Sequence, residues 1–155
     1  MKKFIPTKFE FQVSEYFIGY KSISKQKNQI LNSSNAYKIF APFFEEHQNV
    51  REVVYAMYLN QANNLIGVLK VSEGSISSCV IDIRLVLKPA VELLASSIIL
   101  AHNHPSGTLK ASHADIQITE KIKQGAKILD MDVVDHLIIT DGGYYSFADD
   151  GKSPF

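Results

Sequence analysis

The stretch AHNHPSGTLKASHAD (residues 101–115) gathers His102, His104, Ser112, His113 and Asp115 behind an apolar run. His102 and His104 are two apart at the end of the β-branched segment SIIL (residues 97–100). In extended chain, residues i and i+2 point to the same side, so the two imidazoles converge. Neutral imidazole is the commonest protein metal ligand. Pro105, Ser106 and Gly107 then turn the chain, and Ser112 and Asp115 stand three apart where a helix begins. A carboxylate there can return to the strand mouth as a third ligand. Two imidazoles and one carboxylate leave a fourth position open, the arrangement of a catalytic zinc site rather than a structural one. Each half also has a plainer reading. S-x-x-D is nearly a capping box, with Ser112 as N-cap and Asp115 only satisfying amide donors, and H-x-H at a strand end can be incidental. The two readings are compatible, because a helix start held by Ser112 would aim Asp115 at the metal. Taken together they favour Zn²⁺ ligation by His102, His104 and Asp115. The adjacent letters HNH do not amount to the nuclease motif of that name, whose residues are spread along a longer ββα-metal unit.

The elements that must position these groups follow from periodicity. Residues 9–20 alternate like a strand and are aromatic-rich; a polar loop follows. Asn32, Ser33 or Ser34 caps a helix carrying Ala36, Tyr37, Ile39, Phe40, Phe43 and Phe44, whose aromatics read as core. VVYAMYLN (53–60) and LIGVLKVSEG (65–74), joined by NQANN, predict a hairpin, and residues 77–81 a further strand. DIRLVLKPAVELLASS has helical spacing at Leu87, Val91, Leu94 and Ala95, with Pro89 expected in the first turn, where proline is tolerated. SIIL predicts a buried central strand. A helix over 113–129 presents Ile118, Ile122, Ala126 and Leu129, and Gly125 within it predicts close approach to a strand. A strand over 133–140, a DGG turn and YYSF close a last hairpin. Asp135 and His136 are neighbours in that strand, so at most one is expected to point inward, with His136 structural or beside the ligands. The order predicts an α/β (α+β) fold, a mixed β-sheet sandwiched by helices.

Composition bounds the function. The chain has 155 residues, 46% of them apolar, which suits one packed domain and argues against disorder. Sixteen basic and sixteen acidic residues cancel, so a broad phosphate-binding surface is not expected, although Lys21, Lys25 and Lys27 form a local basic patch. The single cysteine, Cys79, reads as a small strand residue in a reducing compartment. The N-terminus shows no apolar signal region. The most apolar stretch, 80–101, is broken by Asp82, Arg84, Lys88 and Glu92, so no membrane span is expected. These features predict a cytoplasmic protein.

At the histidine stretch the chain resembles a known family. H-x-H, seven residues, S, two residues, D is the signature of the JAMM motif of JAB/MPN+ metalloproteases, and His102, His104, Ser112 and Asp115 fit it without a gap. AHNHPSG followed by S-x-x-D resembles the RadC branch, often labelled DNA repair. REVVYAMYLNQANNLI, VSEGSISS, DIRLVLKPAVELLASSIIL, DHLIIT and YSFADDG extend the resemblance over residues 30–151. It implies a cytidine-deaminase-like JAB/MPN architecture over 30–155, with residues 1–29 an extension of the same domain. It also implies an upstream glutamate, matched by Glu52, as general base, and a hydroxyl, Ser112, as donor to the oxyanion. Glu45, Glu46 and Glu73 are rivals by composition, and a solvated strand-end glutamate is the plainer reading of Glu52. Arg84 resembles a recurring arginine of the family, with a helix-start salt bridge as the alternative. His113 and His47 are read as exposed.

The resulting expectation is a zinc-dependent metallohydrolase of peptidase or isopeptidase type, acting on a protein or peptide with weak or no direct nucleic-acid binding. The alternatives are a non-catalytic accessory module in DNA repair or mobile-element biology, and a protein-interaction scaffold that retains a metal site.

Overall fold

The structure is a computed structural model that describes residues 28–46, 50–74, 80–151 and 154–155. The expected strand over 9–20, the lysine patch, His47 and Cys79 lie outside the described residues, as does most of the expected strand over 77–81. Val80 and Ile81, its last two positions, are not in a strand.

Among the described residues, five strands form one mixed sheet. Their ranges are β1 (Val53–Leu59), β2 (Leu65–Glu73), β3 (Ser97–Asn103), β4 (Asp132–Thr140) and β5 (Gly143–Ser146), in spatial order β2-β1-β3-β4-β5. The hairpins β1–β2 and β4–β5 are antiparallel, and so is β1 against β3; β3 and β4 are parallel. β3 is thus central, and all its residues are buried. Parallel pairing requires a crossover, and helix α3 (His113–Ile128) supplies it.

Helices cover both faces. Helix α1 (Ser33–Phe44) starts at Asn32, whose side chain accepts from the Asn35 amide at 2.9 Å. Ala36, Phe40 and Phe44 recur every four residues and bury one stripe against Val53, Tyr55, Met57, Ile99 and Leu137. On the other face, α3 and α2 (Ile83–Glu92) cover Val54, Ala56, Tyr58, Ile98 and Leu100 through Val86, Ala90, Ile122 and Ala126. A short helix, α4 (Phe147–Asp150), follows β5. The expected α+β sandwich is the fold observed. Among the described residues, no helix is long and apolar enough to cross a membrane.

Three expectations are corrected. Helix α2 does not begin at Pro89, which is the seventh of its ten residues. Asp82 caps the helix instead, accepting from the Arg84 amide at 2.9 Å and pairing with the Arg84 guanidinium at 2.6 Å. Proline deletes one i→i−4 bond, and a well-capped first turn offsets that loss. Starting the helix at Asp82 also rotates its buried face to Val86 and Ala90; Leu94 is 85% exposed and left-handed (φ 50°). Second, Gly125 approaches a helix and not a strand, since a Cβ there would lie 2.8 Å from Leu87 Cδ1 of α2. Third, Asp135 and His136 are both buried. β4 is covered on both sides, so opposite-facing neighbours can each be interior.

Candidate metal centre

The C-terminal end of β3, the start of β1 and the N-terminus of α3 meet at one end of the central strands. His102 and His104 leave β3 on the same side, with their Nε2 atoms 2.9 Å apart. Asp115 occupies the third position of α3, where Ser112 and Asp115 form a full capping box. The Asp115 amide donates to Ser112 Oγ (3.1 Å), and the Ser112 amide donates to Asp115 Oδ2 (2.7 Å). This pins the carboxylate facing the strand. Its Oδ1 lies 3.4 Å from His102 Nε2 and its Oδ2 lies 3.6 Å from His104 Nε2. All three candidate ligand atoms fall within 4.8 Å of one another. Capping and convergence therefore coexist in Asp115.

The Pro-Ser-Gly turn has a visible use. Gly107 takes the left-handed conformation (φ 75°) that glycine adopts without strain. Its amide returns to the His104 carbonyl at 3.0 Å. The turn brings the Thr108 carbonyl within 2.8 Å of His104 Nδ1. A carbonyl only accepts, so Nδ1 carries the proton and Nε2 is left as the potential ligand.

Charge fits a cation. Burial lowers the His102 pKa to about 4, against the opposing pull of Asp115, so this ring is neutral near pH 7. Its contact with Asp115 is then an approach of two donor atoms and not an ion pair. Burial would raise Asp115, but the neighbouring His104 and His102 and the hydrogen bond from the Ser112 amide outweigh it and hold the carboxyl well below the usual range. Burial also disfavours a charged His104. Its closeness to Asp115 and its bond to the Thr108 carbonyl, with the charges of Asp115 and Glu52, reverse the sign and raise its pKa. Two imidazole nitrogens and an ionised carboxylate converge, a donor set suited to a divalent metal such as zinc.

Glu52 immediately precedes β1. Val54 pairs with His102, and that antiparallel register carried two residues on sets Glu52 across from His104. Its charge acts on His104. The rivals are elsewhere: Glu45 and Glu46 are exposed beyond α1, and Glu73 pairs with Arg51 (2.6 Å) and Lys70 (2.8 Å). His113 is exposed at the first position of α3, and Arg84 serves the salt bridge at the start of α2.

Two supporting residues were not singled out from sequence. Asn103, buried between the histidines in sequence, turns to the other face. Its Oδ1 accepts from the Val53 amide (2.7 Å) and its Nδ2 donates to the Arg51 carbonyl (2.9 Å), which brackets Glu52. A buried polar side chain on a central strand needs such partners, and that was the available signal. Thr119 lies one helical turn beyond Asp115, a spacing that shares a face. Its hydroxyl contacts His136 Nδ1 at 2.6 Å, and His136 Nε2 lies 2.8 Å from His102 Nδ1. His136 therefore touches a candidate ligand rather than joining the cluster.

Known proteins resemble this chain in sequence. The RadC-like JAB domain family matches residues 30–152. A UPF0758 protein of Flavobacterium johnsoniae is 44% identical over 123 residues, 79% of this chain and 53% of the relative. One from Porphyromonas gingivalis is 42% identical over 127 residues, 81% of this chain and 55% of the relative. One from Aquifex aeolicus is 33% identical over 149 residues, 96% of this chain and 62% of the relative. The chain thus spans somewhat more than half the length of these curated relatives. With the family match covering most of its length, the chain belongs to the RadC-like JAB domain family.

Proposed function

We propose that this domain is a zinc-dependent hydrolase of amide or isopeptide bonds in a protein or peptide. The observation that supports it is the convergence of His102, His104 and Asp115 within 4.8 Å, across from Glu52. Three protein donors leave a fourth position for water or substrate. Zinc held there would polarise the scissile carbonyl and lower the pKa of water to about 7. Glu52 takes the proton of the attacking water and passes it to the leaving amine. Ser112 Oγ accepts from the Asp115 amide, and its own proton remains to donate to the carbonyl oxygen as negative charge grows there. Equal numbers of basic and acidic residues supply no cationic excess, so direct nucleic-acid binding is weak in this reading.

The test is metal analysis of protein purified without chelator, together with hydrolysis of a generic peptide library and of isopeptide-linked peptides. The expected result is one zinc per chain and measurable cleavage. Glu52→Gln should keep the zinc while cleavage falls by about 10²–10⁴, the loss typical of removing an acid–base group. Zinc lost along with cleavage would make Glu52 a ligand, and undiminished cleavage would remove it from the reaction.

A further inference from the structure

We propose that His136 and Thr119 act as positioning residues that fix the tautomer of His102, so that its Nε2 always offers a lone pair to the metal. The inference rests on the metal-binding part of the reading above and is independent of whether hydrolysis occurs.

The protons available to His102, His136 and Thr119 fix the tautomer. Three short contacts run in series: Thr119 Oγ1 to the Asp115 carbonyl at 2.5 Å, His136 Nδ1 to Thr119 Oγ1 at 2.6 Å, and His102 Nδ1 to His136 Nε2 at 2.8 Å. Each needs one proton. Both rings are buried, His136 at 0% exposure and His102 at 4%, which disfavours their charged forms. A neutral imidazole has one N–H and a threonine one O–H, so three protons serve three contacts. The Asp115 carbonyl can only accept, which sets the direction. Thr119 donates to it, so Thr119 Oγ1 accepts from His136 Nδ1–H. That leaves His136 Nε2 bare, and it accepts from His102 Nδ1–H. His102 Nε2 then has no proton.

The count also bears on the 2.9 Å contact between the Nε2 atoms of His102 and His104. The His104 proton is at Nδ1, facing the Thr108 carbonyl. Two lone pairs therefore face each other unless a cation lies between them, either a metal ion or, without metal, an added proton on His104. Ring orientation is held as well, because His136 stacks on Phe147 with centroids 5.1 Å apart and planes 10° apart. The chain forms a closed loop: it leaves the Asp115 backbone and returns through His102 to the site that the Asp115 carboxylate faces. A ligating histidine usually donates its other N–H to a carboxylate, carbonyl or water. Here a second histidine serves, and it is a competent acceptor only because Thr119 occupies its Nδ1 proton.

The decisive variant is Thr119→Val, which keeps the shape and removes the hydroxyl. His136 then has no acceptor at Nδ1 and moves its proton to Nε2. His102 must accept there and carry its own proton on Nε2, where the metal would bind. Nitrogen-15 NMR of metal-free protein should show His102 protonated at Nδ1 in the wild type and at Nε2 in Thr119→Val. Zinc affinity, measured against a competing chelator, should fall by about 10–100-fold, the range for partners of ligating histidines. Thr119→Ser should restore both readouts, which a packing role for the Thr119 methyl would not allow. A wild type that shows His102 protonated at Nε2, or a Thr119→Val variant with unchanged tautomer and zinc affinity, would overturn the proposal. If the wild type bound no zinc, the metal reading would fail, and the NMR result alone would still decide the tautomer.

Discussion

On the face covered by α1, strands β3 and β4 present Ile99, Ala101, Leu137 and Ile139 to Phe40 and Phe44. On the opposite face the same two strands present Ile98 and Leu100 and then His102 and His136, with Thr119 of α3 above them. The residues named alternate with a period of two, and both sets are buried. They differ in what specifies them. Apolar packing is non-directional, and such cores accept many side-chain combinations of similar volume. The polar end allows one arrangement, because each buried donor meets one acceptor. Among the described residues, no buried side-chain nitrogen or oxygen lacks a partner. The first face supplies stability, and the second holds groups whose worth lies in their direction.

The sharpest way to break that division is to damage the apolar face and ask whether the metal notices. Phe40→Ala removes a fully buried aromatic ring and should cost about 3–5 kcal/mol in urea unfolding. Zinc at a hundredfold excess over its dissociation constant should add about 2.7 kcal/mol of stability to the wild type. The same increment is expected in Phe40→Ala, because changes on opposite faces with no shared partner add. A zinc increment that vanished in the variant would show that the faces are coupled.

Asn103 tests the boundary, since it is a polar group at the end of the α1 side. Asn103→Ala leaves the Val53 amide and the Arg51 carbonyl without the partners they have now. The expected cost is about 1–3 kcal/mol, with faster hydrogen exchange at the Val53 amide. Zinc affinity should change little, because the Asn103 side chain is bonded to Val53 and Arg51 on the face opposite His102. A large loss of zinc would mean that this clamp shapes the cluster itself.

The candidate ligands were legible because two regularities overlap there. Strand alternation puts His102 and His104 together, and helix-start chemistry puts Asp115 at the third position after Ser112. His136 reads from sequence as structural or beside the ligands, and it does contact His102. The burial of Asp135 as well is what alternation does not show, because alternation assumes one interior face. β4 has two, and its pairing with β3 shifts register between Ile98 and Ile99, which changes the residues that follow. Spacing around Pro89 points to a helix start there, whereas α2 starts at Asp82, because a strong cap outweighs one missing bond. Gly125 signalled close packing correctly but not its partner. A glycine reports that something comes near, and only the packing of α2 on α3 says what.

Ser112 is the smallest case in stability and the most informative about its two roles. Its Oγ accepts from the Asp115 amide as the cap of α3, and under the proposed reaction its proton serves the oxyanion. The roles separate because an N-cap tolerates glycine far better than alanine. Ser112→Ala should cost about 1 kcal/mol, and Ser112→Gly only a few tenths. Both variants lack the hydroxyl, so cleavage should fall equally in the two, by about 10²–10³, the loss seen when an oxyanion donor is removed. Cleavage that instead tracked the cap, with Ser112→Gly near wild type and Ser112→Ala impaired, would confine Ser112 to holding Asp115 in place. The carboxylate would then be the whole contribution of this helix start to the site.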